Sequence, residues 1–284
     1  MALGSIIAAS LHKGNLKDLF EAKFIQDEPQ PPLDPKNYYV RASGFADMCP
    51  REEVLCTTHN VTRKRKFDAN TNLIFLHGTS LHWGVQNHLL AKLGLLNGMW
   101  RCNLCGKLHG GPLLEETTAP FAAKIGPRPP KCSKCGVEAN GNTFTYEEWF
   151  FKDEELRLTG HPDGFISLPG HNGMGIFELK SVGGRKAWQI KHTPDVGHVV
   201  QAHIYMMFTG FSWMQLLYWI KAENGLPALV EHHIERDQEI ITNIRTQLIV
   251  LRHGMETGEL PQRICQNSTC PRAKNCSTTK LCFA

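Results

Sequence analysis

The order of helical and strand patterns along this chain places it in the α/β class, as a mixed β-sheet flanked by helices. Two observations carry this. Short apolar runs bounded by turn residues, at Met174 to Ser181, Phe211 to Lys221 and Ala228 to Glu235, read as strands. Stretches with apolar residues three and four apart, at Asn70 to Leu96, Thr193 to Phe208 and Asp237 to Gly258, read as helices. At 284 residues the chain can bury one large core, with or without a small satellite module. Hydrophobic content of 42% and charged content of 20% are ordinary for a soluble protein. No run of about 18 apolar residues is present, so a membrane partner is not expected. The Ile6-Ile7-Ala8-Ala9 patch is too short for a signal-peptide core and lacks a basic leader, so the expected location is cytoplasmic, or the host cytoplasm for a phage-encoded chain. A net charge of +4 permits a nucleic-acid partner without arguing for one, whereas ten cysteines in such a setting suggest metal ligands rather than disulfides.

From the N-terminus, residues 1–40 form an extension with a short helix from Leu16 to Phe24 and a proline-rich connector, Pro29 to Pro35. Residues 41–284 form the main domain. Ser43 to Cys56 reads as a helix with Cys49 inside it, where a cysteine alone would be a small core residue. Arg63-Lys64-Arg65-Lys66 is a basic loop, either a solvated patch or a phosphate contact. The helix from Asn70 to Leu96 turns Phe75, Leu76, Thr79, Val85, Leu89, Leu93 and Leu96 inward, and His82 shares that face. A lone histidine there is more often a core residue than a ligand.

Residues 100–137 shift to Gly, Pro and Cys. Cys102-x-x-Cys105-Gly106 and Cys132-x-x-Cys135-Gly136 are matched knuckles, and two such pairs complete a tetrahedral four-sulfur site for Zn2+. With so little core of its own, the segment is read as a structural zinc module. Lys107, Lys124, Arg128, Lys131 and Lys134 around it add a weak hint of DNA contact. Thr143 to Phe151 is rich in β formers, and Leu156 and Leu158 alternate as on a half-buried strand. The strand leads into Pro162-Asp163-Gly164, a turn that suits a tight reversal with Asp163 at its tip. On the next strand Glu178 and Lys180 share one face, and Phe177 and Leu179 the other. Two carboxylates and a lysine converging there can hold a divalent metal and activate a water.

Thr193-Pro194-Asp195 starts a helix with Pro at its first position and Val196, Val199, Val200, His203, Ile204 and Met207 inward, closed by Gly210. Gln201 and Tyr205 stack on one face, as a surface pair or something more. The tail, 263–284, carries Cys265, Cys270, Cys276 and Cys282 in eighteen residues with few apolar ones. It would fray unless pinned, and a metal or cluster held by its thiolates, with Cys49 as an upstream ligand, would pin it.

Gly78-x-x-x-His82, Gly160-x-x-Asp163, Glu178-x-Lys180 and Gln201-x-x-x-Tyr205 occur in an order that resembles the RecB-like branch of the PD-(D/E)XK nucleases. Cys49-Pro50-Arg51 and the cysteine tail are similar to the iron–sulfur members of that branch, which include the CRISPR-associated exonuclease and nuclease subunits of bacterial recombination helicases. The resemblance spans roughly Ser43 to Cys282, and the paired knuckles look like an insertion into it. It implies a restriction-endonuclease-like fold and a metal-dependent DNA nuclease, an exonuclease with single-stranded DNA as the expected substrate. Helicase or other recombination and replication proteins are the implied partners. It further implies His82, Asp163, Glu178 and the carbonyl of Leu179 as ligands of Mg2+ or Mn2+. Lys180 would act on the water and phosphate, and Gln201 and Tyr205 would orient DNA and the site. A 4Fe–4S cluster would be held by Cys49 with tail cysteines. Cys270 to Cys276 fits the family's five-residue gap, Cys265 to Cys270 departs from its two-residue gap, Cys282 is surplus and Cys56 unassigned. Hard oxygen ligands favour magnesium or manganese over zinc, and the histidine tilts toward manganese. Two other readings compete. One is a zinc-dependent DNA-binding or scaffold protein within a recombination or replication complex, which would require a broken catalytic set, and none of the matching positions is broken. The other is a different metal-dependent enzyme whose tail holds a second Zn2+.

Overall fold

The computed structural model describes residues 34, 37–63, 69–110, 125–223 and 226–284. The Leu16 to Phe24 helix, nearly all of the proline-rich connector, Lys64 to Lys66 and Lys124 lie outside them. In chain order the elements are β1 (Val40–Arg41), a 3-10 turn (Ala42–Asp47), α1 (Pro50–Thr58), α2 (Ala69–Gly84) running into a π-helical turn (Val85–Leu90), β2 (Leu96–Cys102), β3 (Leu108–His109), β4 (Gly126–Pro127), β5 (Phe144–Glu147), β6 (Phe151–Asp153), β7 (Leu158–Gly160), β8 (Gly164–Ile166) and β9 (Gly175–Val182). A 3-10 turn (Gly184–Lys186) leads to α3 (Ala187–His192), α4 (Val196–Thr209), β10 (Trp213–Glu223), β11 (Leu226–Glu235), α5 (Gln238–Thr257), α6 (Pro271–Lys274) and α7 (Thr279–Cys282). Two compact units result. One is Tyr39–Met48 with Leu81–Ile249, and the other includes Cys49–Ser80 with Val250–Ala284.

The first unit is built on a mixed sheet in the order β11-β10-β9-β8-β2-β3, with β4 and β5 also pairing β2. β9 is its pivot. It runs parallel to β10, with Leu216 opposite Glu178 and Tyr218 opposite Lys180, and antiparallel to β8, with Gly164 opposite Phe177. A parallel pair needs a long crossover, and α3 and α4 supply it. Gly175, which opens β9, is glycine because a Cβ there would sit 2.3 Å from the Trp213 ring. Phe177 and Leu179 go into a core with Trp100, Phe144, Ile166 and Trp213, which leaves Glu178 and Lys180 on the opposite face, as period two demands. A second, three-stranded sheet has the order β1-β7-β6. Val40, Phe151 and Leu158 are buried on one side of it, and the Phe151 ring stacks on Phe208 of α4 at 5.1 Å.

Several expectations change. Pro162-Asp163-Gly164 does not reverse a hairpin: β7 and β8 belong to different sheets, and Asp163 is buried where the chain crosses between them. The helix expected from Asn70 to Leu96 ends its α-helical part at Gly84, and Leu96 starts a strand. Phe75, Leu76, Thr79, Leu89 and Leu93 are exposed: α2 buries none of its residues, and beyond it the π-helical turn takes Leu89 and Leu93 off the 3.6-residue period. Ser43 to Cys56 is two elements, with Cys49 as the N-cap of α1 and Pro50 at its first position. In α4 the cap is Asp195, whose side chain accepts from the Gly197 N–H, so Pro194 precedes the cap. Val196 is exposed, and the buried face carries Gln201 and Tyr205. Gly210, at φ 75°, closes the helix as expected.

In the second unit the cysteine tail is pinned by polar contacts to α1. Glu52 Oε1 accepts from the Ser277 hydroxyl at 2.8 Å and its N–H at 3.1 Å, and Arg51 donates to the Pro261 carbonyl at 2.9 Å. Arg63 is a half-buried ion-pair partner of Glu53 (2.8 Å) and donates to Cys56 Sγ at 3.3 Å, so it is not a solvated charge and Cys56 is a structural thiol. No helix among the described residues is long and apolar enough to cross a membrane.

Ile220 on β10 is fully buried, whereas Leu229 on β11 is 60% exposed. Ile220→Ala should therefore cost about 2–5 kcal/mol in urea unfolding, by lost transfer energy and a residual cavity, and Leu229→Ala about 0.5 kcal/mol or less.

Candidate active site

Four chain segments meet around Asp163. From the end of α2, His82 Nδ1 lies 3.0 Å from Asp163 Oδ1. From β9, the Leu179 N–H donates to Asp163 Oδ2 at 2.7 Å, so both carboxylate oxygens are engaged. The next residues on either side of Leu179 project to the site's face: Lys180 Nζ donates to Glu178 Oε1 at 2.7 Å. From α4, Gln201 Nε2 donates to the same oxygen at 2.9 Å and to the Tyr205 hydroxyl at 3.0 Å. That hydroxyl in turn donates to the His161 carbonyl at 2.8 Å, tying α4 to the segment that carries Asp163. Gly160 makes room for the tie, since a Cβ there would stand 2.6 Å from Tyr205 Cε1 and 3.2 Å from Ala42 Cβ.

The sequence-selected residues His82, Asp163, Glu178, Lys180, Gln201 and Tyr205 thus form one hydrogen-bonded constellation, and Leu179 joins it through its N–H. Two members were missed. Glu148, just after β5, places a carboxylate oxygen within 4.8 Å of the ligand atoms of His82 and Asp163. Gln86, in the π-helical turn, donates to Glu148 Oε1 at 2.9 Å and to the Asp163 carbonyl at 2.7 Å. The available signal was a pair of acids, Glu147 and Glu148, lodged in an otherwise aromatic stretch, Tyr146 to Phe151.

Burial sets the charge states here. It raises the Glu178 carboxyl to about 7, the charge of Asp163 adding to it and Lys180 pulling the other way. Burial lowers Lys180, yet the charges of Glu178 and Asp163 outweigh it and the ammonium is held above its ordinary value. His82 behaves likewise: burial lowers it, and the hydrogen bond and charge of Asp163 leave it raised. Glu148 is raised by burial and by Asp163. Glu178 Oε2 is buried with no hydrogen-bond partner. A carboxylate oxygen so placed lacks a cation or donor, which a hard divalent ion would supply; the ligand atoms that lie within 4.8 Å of one another are those of His82, Glu148 and Asp163, a group that does not include Glu178.

The knuckles form a second group. Cys102 and Cys135 sulfurs are 3.7 Å apart and those of Cys105 and Cys132 3.6 Å, and all four lie within 4.8 Å of one another. Four thiolates around one ion at about 2.3 Å would stand about 3.8 Å apart, so the group matches a tetrahedral site. Gly106 and Gly136, at φ 71° and 75°, donate their N–H groups to the Cys102 and Cys132 carbonyls, a left-handed turn that a glycine after each cysteine pair makes without strain. His109 Nε2 lies 3.3 Å from Cys132 Sγ.

The tail is arranged differently. Cys49, Cys265, Cys276 and Cys282 line one cavity of the second unit, together with Arg51, Arg263 and Arg272, and Cys270 is absent from that lining. Cys270 instead caps α6, its sulfur accepting from the Ala273 N–H at 3.3 Å, and pairs with Cys265. No three of these sulfurs crowd together as the knuckle sulfurs do.

No protein-family model matches this sequence, and no curated protein does. Among solved structures, the chain is similar to the alkaline exonuclease LHK-Exo from Laribacter hongkongensis, at 15% identity over 78% of this chain and 90% of that one, with a TM-score of 0.41. LHK-Exo in complex with dAMP gives 15% identity, 78% and 89% coverage and a TM-score of 0.43. SSO0001 gives 15% identity, 97% and 95% coverage and a TM-score of 0.38. At TM-scores below 0.5 these likenesses do not decide what the chain does.

Gly160→Ala should cost about 1–3 kcal/mol through overpacking against Tyr205, and much of that cost should vanish in a Tyr205→Ala background. A double-mutant cycle read by urea unfolding measures the coupling.

Proposed function

We propose that this chain is a metal-dependent deoxyribonuclease, acting as an exonuclease on single-stranded DNA. The observation that carries the reading is the buried, partnerless Glu178 Oε2 beside Asp163, with the Lys180 ammonium 2.7 Å from the other Glu178 oxygen. The four-motif resemblance to the RecB-like nucleases supports it from the sequence. His82, Glu148, Asp163, Glu178 and the main chain of Leu179 would hold Mg2+ or Mn2+. When bound, such an ion polarises a phosphodiester and lowers the pKa of a water.

The chain's own residues supply the rest. Lys180, kept cationic by its acidic neighbours, orients the attacking water and offsets charge developing on the phosphate oxygens. Water adds to phosphorus, the phosphorus–oxygen bond to the departing nucleotide breaks, and the leaving oxygen takes up a proton. Gln201 fixes the Glu178 carboxylate through Oε1 and leaves Oε2 available. Burial raises the Tyr205 hydroxyl well above its usual range, so it remains a donor that anchors the His161–Asp163 segment. The Leu179 N–H and His82 restrict Asp163 to one orientation, and that preorganisation suits it to chemistry in which little can move.

The knuckles are read as a structural Zn2+ site. The tail is read as a 4Fe–4S site with Cys49, Cys265, Cys276 and Cys282 as ligands, one sulfur per corner of a polynuclear group accounting for thiols that line a cavity without crowding together. In this ligand set Cys270 is a helix cap and Cys282, surplus by spacing alone, takes its place.

With end-labelled single-stranded DNA and Mg2+ or Mn2+, stepwise nucleotide release is expected, and Lys180→Ala or Glu178→Ala should lower kcat by about 100-fold or more without unfolding the protein. Undiminished cleavage by clean Lys180→Ala protein would rule out the site. Metal analysis of protein purified without oxygen should give zinc that is lost in Cys102→Ser, and iron with visible absorbance that is lost in Cys276→Ser. A colourless, iron-free preparation would sink the cluster assignment.

A further inference from the structure

We infer that the solvent face of the three-stranded sheet is a single-stranded DNA track, on which Phe150 and His161 stack a base next to the scissile position. The inference rests on the nuclease reading for its substrate, but its geometry is separate from the metal constellation. In the β6–β7 ladder Lys152 lies opposite Thr159 and Phe151 opposite Gly160, so two residues on from Lys152, just past the ends of the strands, Phe150 comes opposite His161. The two rings are in contact, with centroids 4.7 Å apart and planes inclined by 35°. In β1, Arg41 lies opposite Thr159. Alternation therefore collects Arg41, Phe150, Lys152, Thr159 and His161 on one side, while Val40, Phe151 and Leu158 face the core.

This face has the makings of a strand-binding surface. Phe150 is 50% exposed although it is a large aromatic ring, and His161 beside it is exposed too. Arg41 and Lys152 add positive charge along the same face, although Lys152 is partly engaged by Glu154. Aromatic rings that accept any base and cations that accept phosphates are what sequence-tolerant single-strand binding requires. Continuity with the site selects DNA as the occupant. Phe150 follows the Glu148 carboxylate by two residues, and His161 precedes Asp163 by two. Two residues of extended chain span about 7 Å, so the stacked pair adjoins the two carboxylates. The Tyr205 hydroxyl bond to the His161 carbonyl holds this step in place from the core side.

The test measures binding without cleavage, using a fluorescein-labelled oligodeoxynucleotide with calcium in place of magnesium. Phe150→Ala should weaken single-strand binding by roughly 5- to 100-fold, and Phe150→Trp should restore most of it. Arg41→Gln should reduce the salt dependence of log K by about 0.7. A 2-aminopurine base near the DNA terminus should be quenched by wild-type protein and not by Phe150→Ala. Under turnover the same variant should raise KM more than it lowers kcat. Equal affinity of wild-type and Phe150→Ala protein with unchanged quenching would overturn the inference, as would a loss seen equally with duplex DNA. The nuclease reading fails separately: binding that depends on Phe150, without cleavage under any metal, would remove the chemistry and leave the track.

Discussion

Asp163 is the point on which the site depends, because nothing in its own segment could hold it there. It sits on a crossing between two sheets rather than within a strand, and it is fixed from outside by a backbone N–H on β9 and an imidazole at the end of α2. A buried carboxylate without such partners would take up a proton or pull the segment toward water. With them, the crossing becomes a rigid hub. The Gln86 amide holds its carbonyl, and the Tyr205 hydroxyl holds the carbonyl two residues earlier. The long-range packing of the first unit thus converges on a few hydrogen bonds, each contributed by a different element.

What was legible in the sequence followed from strict local periods. Glu178 and Lys180 share a face because a strand alternates without exception. The cysteine knuckles announce their turns because two-residue spacing and a trailing glycine leave little freedom. The exits of α4 and α5 at Gly210 and Gly258 were readable for the same reason: both glycines take positive φ. What was not legible depends on partners distant in sequence. Glu148 acquires its role from Gln86, 62 residues earlier, and neither belongs to a spacing that marks it. The inward face of the helix around His82 was misread because apolar spacing marks a face without showing what covers it: α2 buries none of its residues, and a π-helical turn resets the period beyond Gly84. The apparent hairpin at Asp163 failed because turn chemistry is local, whereas the choice of pairing partner for β7 and β8 is not.

The two cysteine groups contrast in how their sulfurs are spaced. The knuckle sulfurs are brought together by the backbone turns themselves, with β2 and β5 as a frame: Cys102 closes β2 opposite Phe144. The tail has little secondary structure to do this. Its sulfurs are distributed around a cavity by contacts between α1 and two one-turn helices, and arginines intrude among them. The first arrangement can persist as a fold without its ion for as long as its turns are satisfied, while the second has few reasons to stay assembled when empty. If the proposed groups bind there, their loss would accordingly be a local event at the knuckles and a conformational one at the tail.

β11 is at one end of the described sheet and pairs only with β10. Its far side presents a row of backbone donors and acceptors, which another extended chain can complete. Pro227 removes one donor from the row, and Glu231, His233 and Glu235 are exposed along it. Two copies meeting edge to edge through β11 would bring these like-charged side chains together, so the residues that mark the edge also hold such pairing off.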